Sequence, residues 1–293
     1  MRSKLFVPGS RPELFNKALT GPSDGLSFDL EDAVREERKQ QARSELATFL
    51  CSDAVIQSDK TMIVRVNGLE TSHFLADLES VVCARIDIIN IPKAESAEDV
   101  RYAARCIEQA EQRKGLGGAR QQPIQILVNI ETPKALRIAH ELGAADKRVF
   151  GLQLGLGDLF EPHGIDRRQP VAIQAAMFQI AMAAHENGLR VYDGAFANVS
   201  DKDGFRNEAL LAKSLGFDGK SCIHPSQVDS VNEVFRPTQE EIEFSLKVVQ
   251  AEAQAKESAV GAFLVEGRMI DAPFVERANS ILKMAKQLGL ITQ

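Results

Sequence analysis

The chain has 293 residues, a formal net charge of −6 at pH 7, 44% hydrophobic residues and 26% charged residues. This is the composition of a globular protein with a full apolar core, and the length allows one large α/β domain or two smaller ones. The excess of acids gives no global attraction for nucleic acid or an anionic membrane, and the absence of tryptophan argues against a surface that stacks sugars or bases.

Short β-branched runs alternate with amphipathic stretches along the first 225 residues, which is the pattern of alternating strands and helices. In chain order, the predicted strands cover residues 3–7, 25–30, 62–66, 86–91, 124–130, 149–154, 190–192 and 219–223. The helices predicted between them cover residues 11–19, 36–50, 72–83, 97–113, 133–142, 170–187 and 203–215. Residues 115–123, rich in glycine and glutamine, predict a loop.

Eight such alternations predict the α/β class and a closed (β/α)₈ TIM barrel. Continuous apolar strands separated by helices indicate a buried parallel sheet, and this length suits a barrel better than a doubly wound sheet. We expect the barrel domain over 1–228 and a helical extension over 229–293, acting as a lid or an oligomer arm. The extension contains predicted helices at 228–235, 239–258 and 272–288 and a β-like piece at 262–265.

The cysteines and the amino terminus indicate the compartment. None of the four cysteines stands in a C-x-x-C pair, so they predict reduced core residues rather than a zinc site or a disulfide framework. The first apolar run is stopped at once by Pro8 and Gly9, which predicts no signal peptide. No apolar run reaches membrane-spanning length, so we expect a cytoplasmic protein without a membrane partner.

Polar side chains gather at the ends of the predicted strands, where barrel enzymes carry their chemistry. Carboxylates that converge there repel one another unless a cation neutralises them, and one or two carboxylates with water suit Mg²⁺. Glu131 and Asp158, on adjacent strand ends, are the predicted metal ligands, and Asp29, Glu31 and Asp32 are predicted to hold metal-bound waters. The alternative is that these acids cap the following helices, and for Asp32 alone we favour it.

Two cationic side chains follow predicted strands. The fork of Arg65 suits a carboxylate or a developing oxyanion, with a structural ion pair as the equal alternative. Lys93 would have to lose its proton to form a Schiff base, and neighbouring acids oppose that loss, so an ion-paired lysine is favoured.

Glycines, a histidine and an amino-terminal basic cluster allow weaker inferences. Gly155 and Gly157 favour backbone N–H groups that bind an anion, because Phe160 stands where a dinucleotide motif needs its third glycine. His224 predicts a hydrogen-bonded structural histidine. A basic cluster near the first strand is either a solvated edge or a phosphate clamp, and its members are Arg2, Lys4, Arg11 and Lys17.

Ten short motifs occur in an order that resembles the citrate lyase β-subunit / malyl-CoA lyase family of CoA-ester lyases over nearly the whole chain. They are RSKLFVPGSRP at 2–12, DLEDAV at 29–34, VRVNG at 64–68, IPK at 91–93, IETP at 130–133, GLGDL at 155–159, DG at 193–194, GFDGK at 216–220, IHPSQV at 223–228 and GRMID at 267–271. The resemblance implies a (β/α)₈ barrel.

The resemblance also implies roles for the matching residues. Glu131 and Asp158 would bind Mg²⁺, and Arg65 would hold the substrate carbonyl or alkoxide oxygen. Backbone amides near Gly157 and Asp158 would bind the carboxylate of a 2-keto acid, while Glu31 and Asp32 would bind metal waters. The amino-terminal Arg and Lys residues (Arg2, Lys4, Arg11 and Lys17) would meet the phosphates of CoA.

The C-terminal extension acquires a function through the same resemblance. Asp271 would reach into the site of a neighbouring subunit as the acid or base, which implies a homotrimer or hexamer.

The sequence departs from the motifs of this family in three places. Gly157 stands where many relatives have glutamate, the connection over residues 159–170 is short, and His224 has the Ile-His-Pro form of free-standing CoA lyases.

The function predicted from these residues is Mg²⁺-dependent cleavage of a 3-hydroxyacyl-CoA, of citramalyl or malyl type, into acetyl-CoA and a 2-keto acid. One alternative is a citrate lyase β-subunit that acts on an acyl-carrier-protein thioester inside a complex. A second is a pyruvate-type aldolase with Lys93 as the Schiff base. A third is a barrel that binds CoA or a keto acid without catalysis.

Overall fold

A computed structural model describes residues 1–116, 122–257 and 261–292. The central part of the predicted loop at 115–123 and the last residue of the predicted helix at 239–258 lie outside these ranges. No helix of the described part of the chain is long and apolar enough to cross a membrane.

Eight parallel strands close into a barrel in sequence order, with β1 pairing to β8, and this confirms the predicted (β/α)₈ fold. The strands are β1 Ser3–Pro8, β2 Gly25–Asp29, β3 Thr61–Arg65, β4 Ile88–Ile91, β5 Gln125–Ile130, β6 Val149–Leu154, β7 Arg190–Asp193 and β8 Gly219–Cys222. Most of their residues are buried, because helices cover the outside of the sheet and side chains fill the inside.

Helices follow the strands and surround the barrel. The α-helices are α1 Phe15–Leu19, α2 Lys39–Leu50, α3 Asp53–Ile56, α4 His73–Val81, α5 Ala97–Arg113, α6 Pro133–Arg137, α7 Ala139–Gly143, α8 Leu156–Phe160, α9 Pro170–Glu186, α10 Lys202–Ser214 and α11 Val228–Val234. Some begin with side-chain caps. The Ser96 hydroxyl accepts the Asp99 N–H at 3.2 Å before α5, and Asp201 accepts the Gly204 N–H at 2.8 Å in α10.

The predicted helices differ from the observed ones where the helical signal is short. The predicted helix at 11–19 begins with a 3₁₀ turn at Pro12–Leu14, and the one at 36–50 begins with a 3₁₀ turn at Glu36–Arg38. The predicted helix at 133–142 is two helices, α6 and α7, separated at Ile138. Helices α3 and α8 were not predicted, because helices of four or five residues show no apolar periodicity.

The chain forms two compact units, Met1–Val234 and Phe235–Gln293. The division lies six residues beyond the predicted boundary at 228, because α11 packs on β1 and β8 and so belongs with the barrel. The second unit contains α12 Gln239–Glu257, an antiparallel hairpin of β9 Phe263–Val265 and β10 Arg268–Ile270, and α13 Ala272–Gln287. Its apolar core is formed by Val248, Val265, Ile270, Val275 and Ala278.

Candidate active site

A cavity of about 700 Å³ opens at the carboxyl ends of the barrel strands. Phe6 and Pro8 of β1 line it, together with residues that follow β2, β3, β5 and β6. Six of the residues singled out from the sequence lie around this space: Asp29, Arg65, Glu131, Gly155, Gly157 and Asp158. Barrel closure brings them together although they span 130 positions of sequence.

Arg65 ends β3 and is held by two carboxylates. Its Nε and Nη2 donate to the two oxygens of Asp29 at 2.8 and 2.7 Å, and its Nη1 lies 2.8 Å from Glu31 Oε2. Burial alone would lower the pKa of Arg65, but the hydrogen bonds and charges of these acids raise it overall. The guanidinium therefore stays charged and keeps one orientation, so the predicted ion pair exists within the cavity.

The three acids after β2 have different environments. Asp29 is buried, and besides Arg65 it accepts the backbone N–H groups of Glu31 at 3.0 Å and Ala33 at 3.1 Å. Glu31 is also buried, and burial is the main cause that raises its pKa. Asp32 is half exposed, 3.5 Å from Arg65. Asp29 therefore fixes Arg65, while Glu31 lies between the cations Arg65 and Lys93.

Glu131, at the end of β5, is a buried carboxylate among other carboxylates. Burial, followed by the charges of Glu31 and Asp158, raises its pKa to about 7. Oε1 accepts the backbone N–H of Lys93 at 2.9 Å, and Oε2 accepts Asn129 Nδ2 at 3.1 Å. A Cβ at Gly155 would lie 2.5 Å from the Glu131 Cβ, so glycine is required beside this side chain.

Asp158 lies in the first turn of α8, is exposed, and lines the same cavity as Glu131. The charges of Glu31 and Asp158 add to burial in raising the pKa of Glu131, and a bound cation would offset that repulsion. Within the described ranges no three His, Cys, Asp or Glu side chains form a metal site on their own. A pair of carboxylates with positions left for water and substrate oxygens is the ligand set that Mg²⁺ takes.

Gly157 precedes Asp158 at the start of α8. The first N–H groups of a helix have no acceptor within the helix, so those of Gly157 and Asp158 are available to an anionic ligand. A Cβ at Gly157 would meet no atom within 4 Å. Gly157 therefore leaves free space in the cavity that a larger side chain could occupy.

Lys93 is ion-paired and His224 is hydrogen-bonded to the backbone, as the sequence predicted for each. Lys93 Nζ lies 3.0 Å from Glu31. Burial would lower the pKa of Lys93, but the hydrogen bond to Glu31 and the neighbouring acids raise it, which opposes the neutral amine of a Schiff base. His224 Nδ1 accepts the backbone N–H of Ser226 at 3.2 Å and caps the turn Pro225–Gln227.

The structure does not bring the four amino-terminal basic residues together. Arg2 precedes β1, at the end of the strand remote from the cavity, and pairs with Asp24 at 2.7 Å. Lys4 is fully enclosed in the barrel. The prediction of CoA contacts is therefore wrong for Arg2 and Lys4, because one is held by a carboxylate and the other is out of reach of solvent. Arg11 and Lys17 are exposed after the carboxyl end of β1.

Asp271 belongs to the second unit, where it immediately precedes α13. There it lines a small cavity of about 240 Å³ with Glu252, Lys256 and Phe263. Its Oδ1 is buried and makes no hydrogen bond within the described part of the chain.

Sequence analysis missed the polar interior of the barrel. Lys4, Gln153 and Asn129 are buried and hydrogen-bonded in series, ending on Glu131. A second buried group joins Lys220 to Asp193 and Glu208. The available signal was a polar residue inside an otherwise apolar strand, as in QILVNI of β5 and VFGLQL of β6.

The chain resembles characterised proteins over its full length. Residues 2–225 match the profile of the HpcH/HpaI aldolase/citrate lyase family. The citrate lyase subunit beta of Haemophilus influenzae is 35% identical over 286 residues, covering 97% of each chain. The (3S)-malyl-CoA thioesterase of Cereibacter sphaeroides (ATCC 17029) is 32% identical, covering 98% of this chain and 95% of its own.

A solved structure with bound ligands is also similar to this chain. CitE of Mycobacterium tuberculosis, crystallised with magnesium, acetoacetate and coenzyme A, is 30% identical with a TM-score of 0.77. The match covers 97% of this chain and 98% of the CitE chain. Magnesium, the metal that the strand-end carboxylates predict, is thus present in a relative with the same fold.

Proposed function

Because the chain belongs to the HpcH/HpaI aldolase/citrate lyase family of carbon–carbon lyases, we propose that it cleaves a 3-hydroxyacyl-CoA into acetyl-CoA and a 2-keto acid. The substrate is of citramalyl- or malyl-CoA type, and the reaction requires Mg²⁺. The observation that carries the proposal is that the buried Glu131, the exposed Asp158 and Arg65 line one cavity.

Glu131 and Asp158 hold the metal in this proposal, and when bound it supplies Lewis acidity toward the keto-acid oxygens. Arg65 donates to the oxygen that changes between hydroxyl and carbonyl, and Asp29 keeps its guanidinium in place. The backbone N–H groups of Gly157 and Asp158 bind the substrate carboxylate. Arg11 and Lys17, exposed beyond β1, contact the CoA phosphates.

Asp271 of a neighbouring subunit is the proposed acid and base, which requires a homo-oligomer, a trimer or a hexamer. In cleavage, the hydroxyl of the substrate gives its proton to solvent water and the carbon–carbon bond breaks. The acetyl-thioester carbanion takes a proton from Asp271, which solvent water then reprotonates. In condensation, the Asp271 carboxylate removes a proton from the methyl group of acetyl-CoA. The buried, unpartnered Oδ1 of Asp271 supports this role.

The first experiment is a screen of the purified protein with malyl-, citramalyl- and citryl-CoA in the presence of Mg²⁺, with chromatography of the CoA products. Acetyl-CoA from malyl- or citramalyl-CoA supports the proposal. Turnover of citryl-CoA or a citryl carrier-protein thioester alone supports the citrate lyase β-subunit, the name of the Haemophilus relative. Free CoA without acetyl-CoA indicates a thioesterase, as the Cereibacter relative is named.

The metal ligands are tested with Glu131→Gln. We expect EDTA to abolish cleavage, Mg²⁺ to restore it, and Glu131→Gln to lower kcat/KM by at least about a hundredfold, because the variant removes an anionic ligand. Glu98→Gln is the matched control, since Glu98 is an exposed side chain on α5. Full activity in excess EDTA would contradict the metal requirement.

A further inference from the structure

Two buried amides join the fully buried Lys4 of β1 to Glu131 of β5, and we call them the amide bridge: Gln153 and Asn129. The Lys4 amine donates to Gln153 Oε1, and Gln153 Nε2 donates to Asn129 Oδ1 at 3.0 Å. Asn129 Nδ2 then donates to Glu131 Oε2 at 3.1 Å. All four residues are at most 4% exposed.

The contacts run through the inside of the barrel. β1 and β6 are not neighbours, because β7 and β8 separate them on one side and four strands separate them on the other. Lys4 and Gln153 therefore meet across the interior, under the cavity that Gln153 and Asn129 line. Phe6 lies beside them, with Lys4 Nζ 4.5 Å and the Arg65 guanidinium 5.4 Å from its ring centre.

The order of donors decides which atom faces Glu131. An amide has one oxygen that accepts and one nitrogen that donates. Because Lys4 takes the Gln153 oxygen, the Gln153 nitrogen turns to Asn129 and takes its oxygen. Asn90 Nδ2 donates to the same Asn129 oxygen at 2.8 Å. The Asn129 nitrogen is then left for Glu131, which could not accept from an oxygen.

We propose that Lys4 is a positioning residue for the metal site, acting through the amide bridge to hold the Glu131 carboxylate in the orientation that binds Mg²⁺. Lys4 touches neither metal nor substrate in this role. The inference rests on the proposed function, since it takes Glu131 as a metal ligand. Groups that orient a metal ligand change metal affinity by about 10- to 100-fold when removed.

Burial lowers the pKa of Lys4 well below its ordinary value. The amine donates to Gln153 Oε1 in either protonation state. Loss of the charge that Lys4 keeps would leave Mg²⁺ binding unchanged or make it tighter, because a positive charge repels a cation. Loss of the Lys4 donor frees Gln153 to turn and weakens the hold on Glu131, so weaker Mg²⁺ binding is the result specific to positioning.

The experiment compares wild type, Lys4→Met and the double variant Lys4→Met/Gln153→Met. Metal-stripped protein is titrated with Mg²⁺ alone, and the rise in Tm gives the apparent Kd, because a ligand that binds only the folded state stabilises it by mass action. We expect the apparent Kd to rise about tenfold in both variants. The effects should not multiply in the double variant, because the two residues act as one unit.

The double variant keeps the test decisive where Lys4→Met alone fails to fold. Replacing both partners of a buried hydrogen bond by apolar side chains of similar shape is nearly neutral for stability, and Asn129 Oδ1 keeps its bond from Asn90. Ser221→Ala is the matched control. Ser221 pairs with Lys4 in register on β8, and its buried hydroxyl has no hydrogen-bond partner among the described residues.

Failure of the inference and failure of the proposed function give different results. If wild type and Glu131→Gln respond to Mg²⁺ alike, Glu131 is not a ligand and the proposed function is wrong. If they differ but the folded Lys4 variants bind Mg²⁺ as tightly as wild type or more tightly, positioning by Lys4 is wrong. If Ser221→Ala weakens binding as much as Lys4→Met, the effect is general to the barrel interior and the inference is also overturned.

Discussion

At the residue scale, two opposing influences act on the pKa of Glu131. It is buried against Gly155 and near two other carboxylates, yet backbone and amide N–H groups are directed at both of its oxygens. The first condition favours the protonated form and the second favours the anion. Burial and the neighbouring charges outweigh the hydrogen bonds, which leaves the pKa near neutrality, where either a proton or a metal can satisfy the site.

This balance predicts a pH-dependent stability in metal-free protein. The folded pKa of Glu131, about 7, lies above its ordinary value of 4.5, so its stabilising contribution is present below about pH 4.5 and lost as the pH rises through 7. In EDTA, urea unfolding of wild type should lose up to about 3 kcal/mol relative to Glu131→Gln between these pH values. Parallel pH profiles of the two proteins would contradict the assignment.

Arg65 forms a structural ion pair and also lines the cavity, where it could contact an oxyanion. Sequence analysis gave an oxyanion contact and a structural ion pair equal weight, and the structure contains the ion pair with Asp29 and Glu31. The pair does not remove Arg65 from the cavity, which it lines. A guanidinium fixed by Asp29 is better placed to stabilise a developing charge than a free one, because no reorganisation is needed during the reaction.

At the scale of elements, a buried ionic cluster joins β7, β8 and α10. Lys220 Nζ lies 2.5 Å from Asp193 Oδ2 and 2.7 Å from Glu208 Oε1, and Lys220 and Asp193 are fully buried. Burial lowers the pKa of Lys220, but the charges of Asp193 and Glu208 raise it overall. Lys220 therefore stays protonated, and its ion pairs connect α10 to β7 and β8.

Lys220→Met should destabilise the folded protein, because methionine cannot neutralise a buried carboxylate. The variant leaves the buried Asp193 without its cation, whereas Glu208 keeps its pair with Arg167 at 3.0 Å. We expect a loss of about 3–5 kcal/mol in the free energy of unfolding by urea. Arg190→Gln is the control, because its pair with Asp218 at 2.7 Å is largely exposed and is worth about 1 kcal/mol or less. Equal losses in the two variants would show that the Lys220 cluster is not stabilising.

Element prediction succeeded where the pattern was long and repeated. The strands and the long helices α5, α9 and α10 lie within a few residues of their predicted bounds, because apolar periodicity fixes them locally. The five-residue helix α8 was missed, although it carries Asp158. Its formation depends on the strand that precedes it and the barrel that it covers rather than on its own sequence.

For the whole molecule, the proposed role of Asp271 requires two chains for one site. The test mixes two inactive proteins, Asp271→Asn and Glu131→Gln, under conditions that allow subunits to exchange. If the site is shared, about a quarter of the sites in a random mixture combine an intact barrel with an intact Asp271, and activity returns. Activity no higher than that of the separate variants would place Asp271 outside the shared site.

The sequence by itself determined the barrel and the face of the barrel on which the proposed metal ligands lie. Eight strand–helix alternations predict the closed sheet, and in such a sheet the carboxyl ends of all strands meet at one face, so acids at those ends must converge. Glu131, Asp158 and Arg65 were found in this way, each from its position after a predicted strand.

Only the tertiary structure decided which polar side chains meet. Lys4 and Gln153 are 149 residues apart in sequence, and they touch because closure brings β1 opposite β6. The same closure encloses Lys4 and so removes it from the CoA contacts that its sequence neighbours suggested. Local patterns specify which face a side chain takes, but the partner across the interior depends on strand tilt and register, which no local pattern encodes.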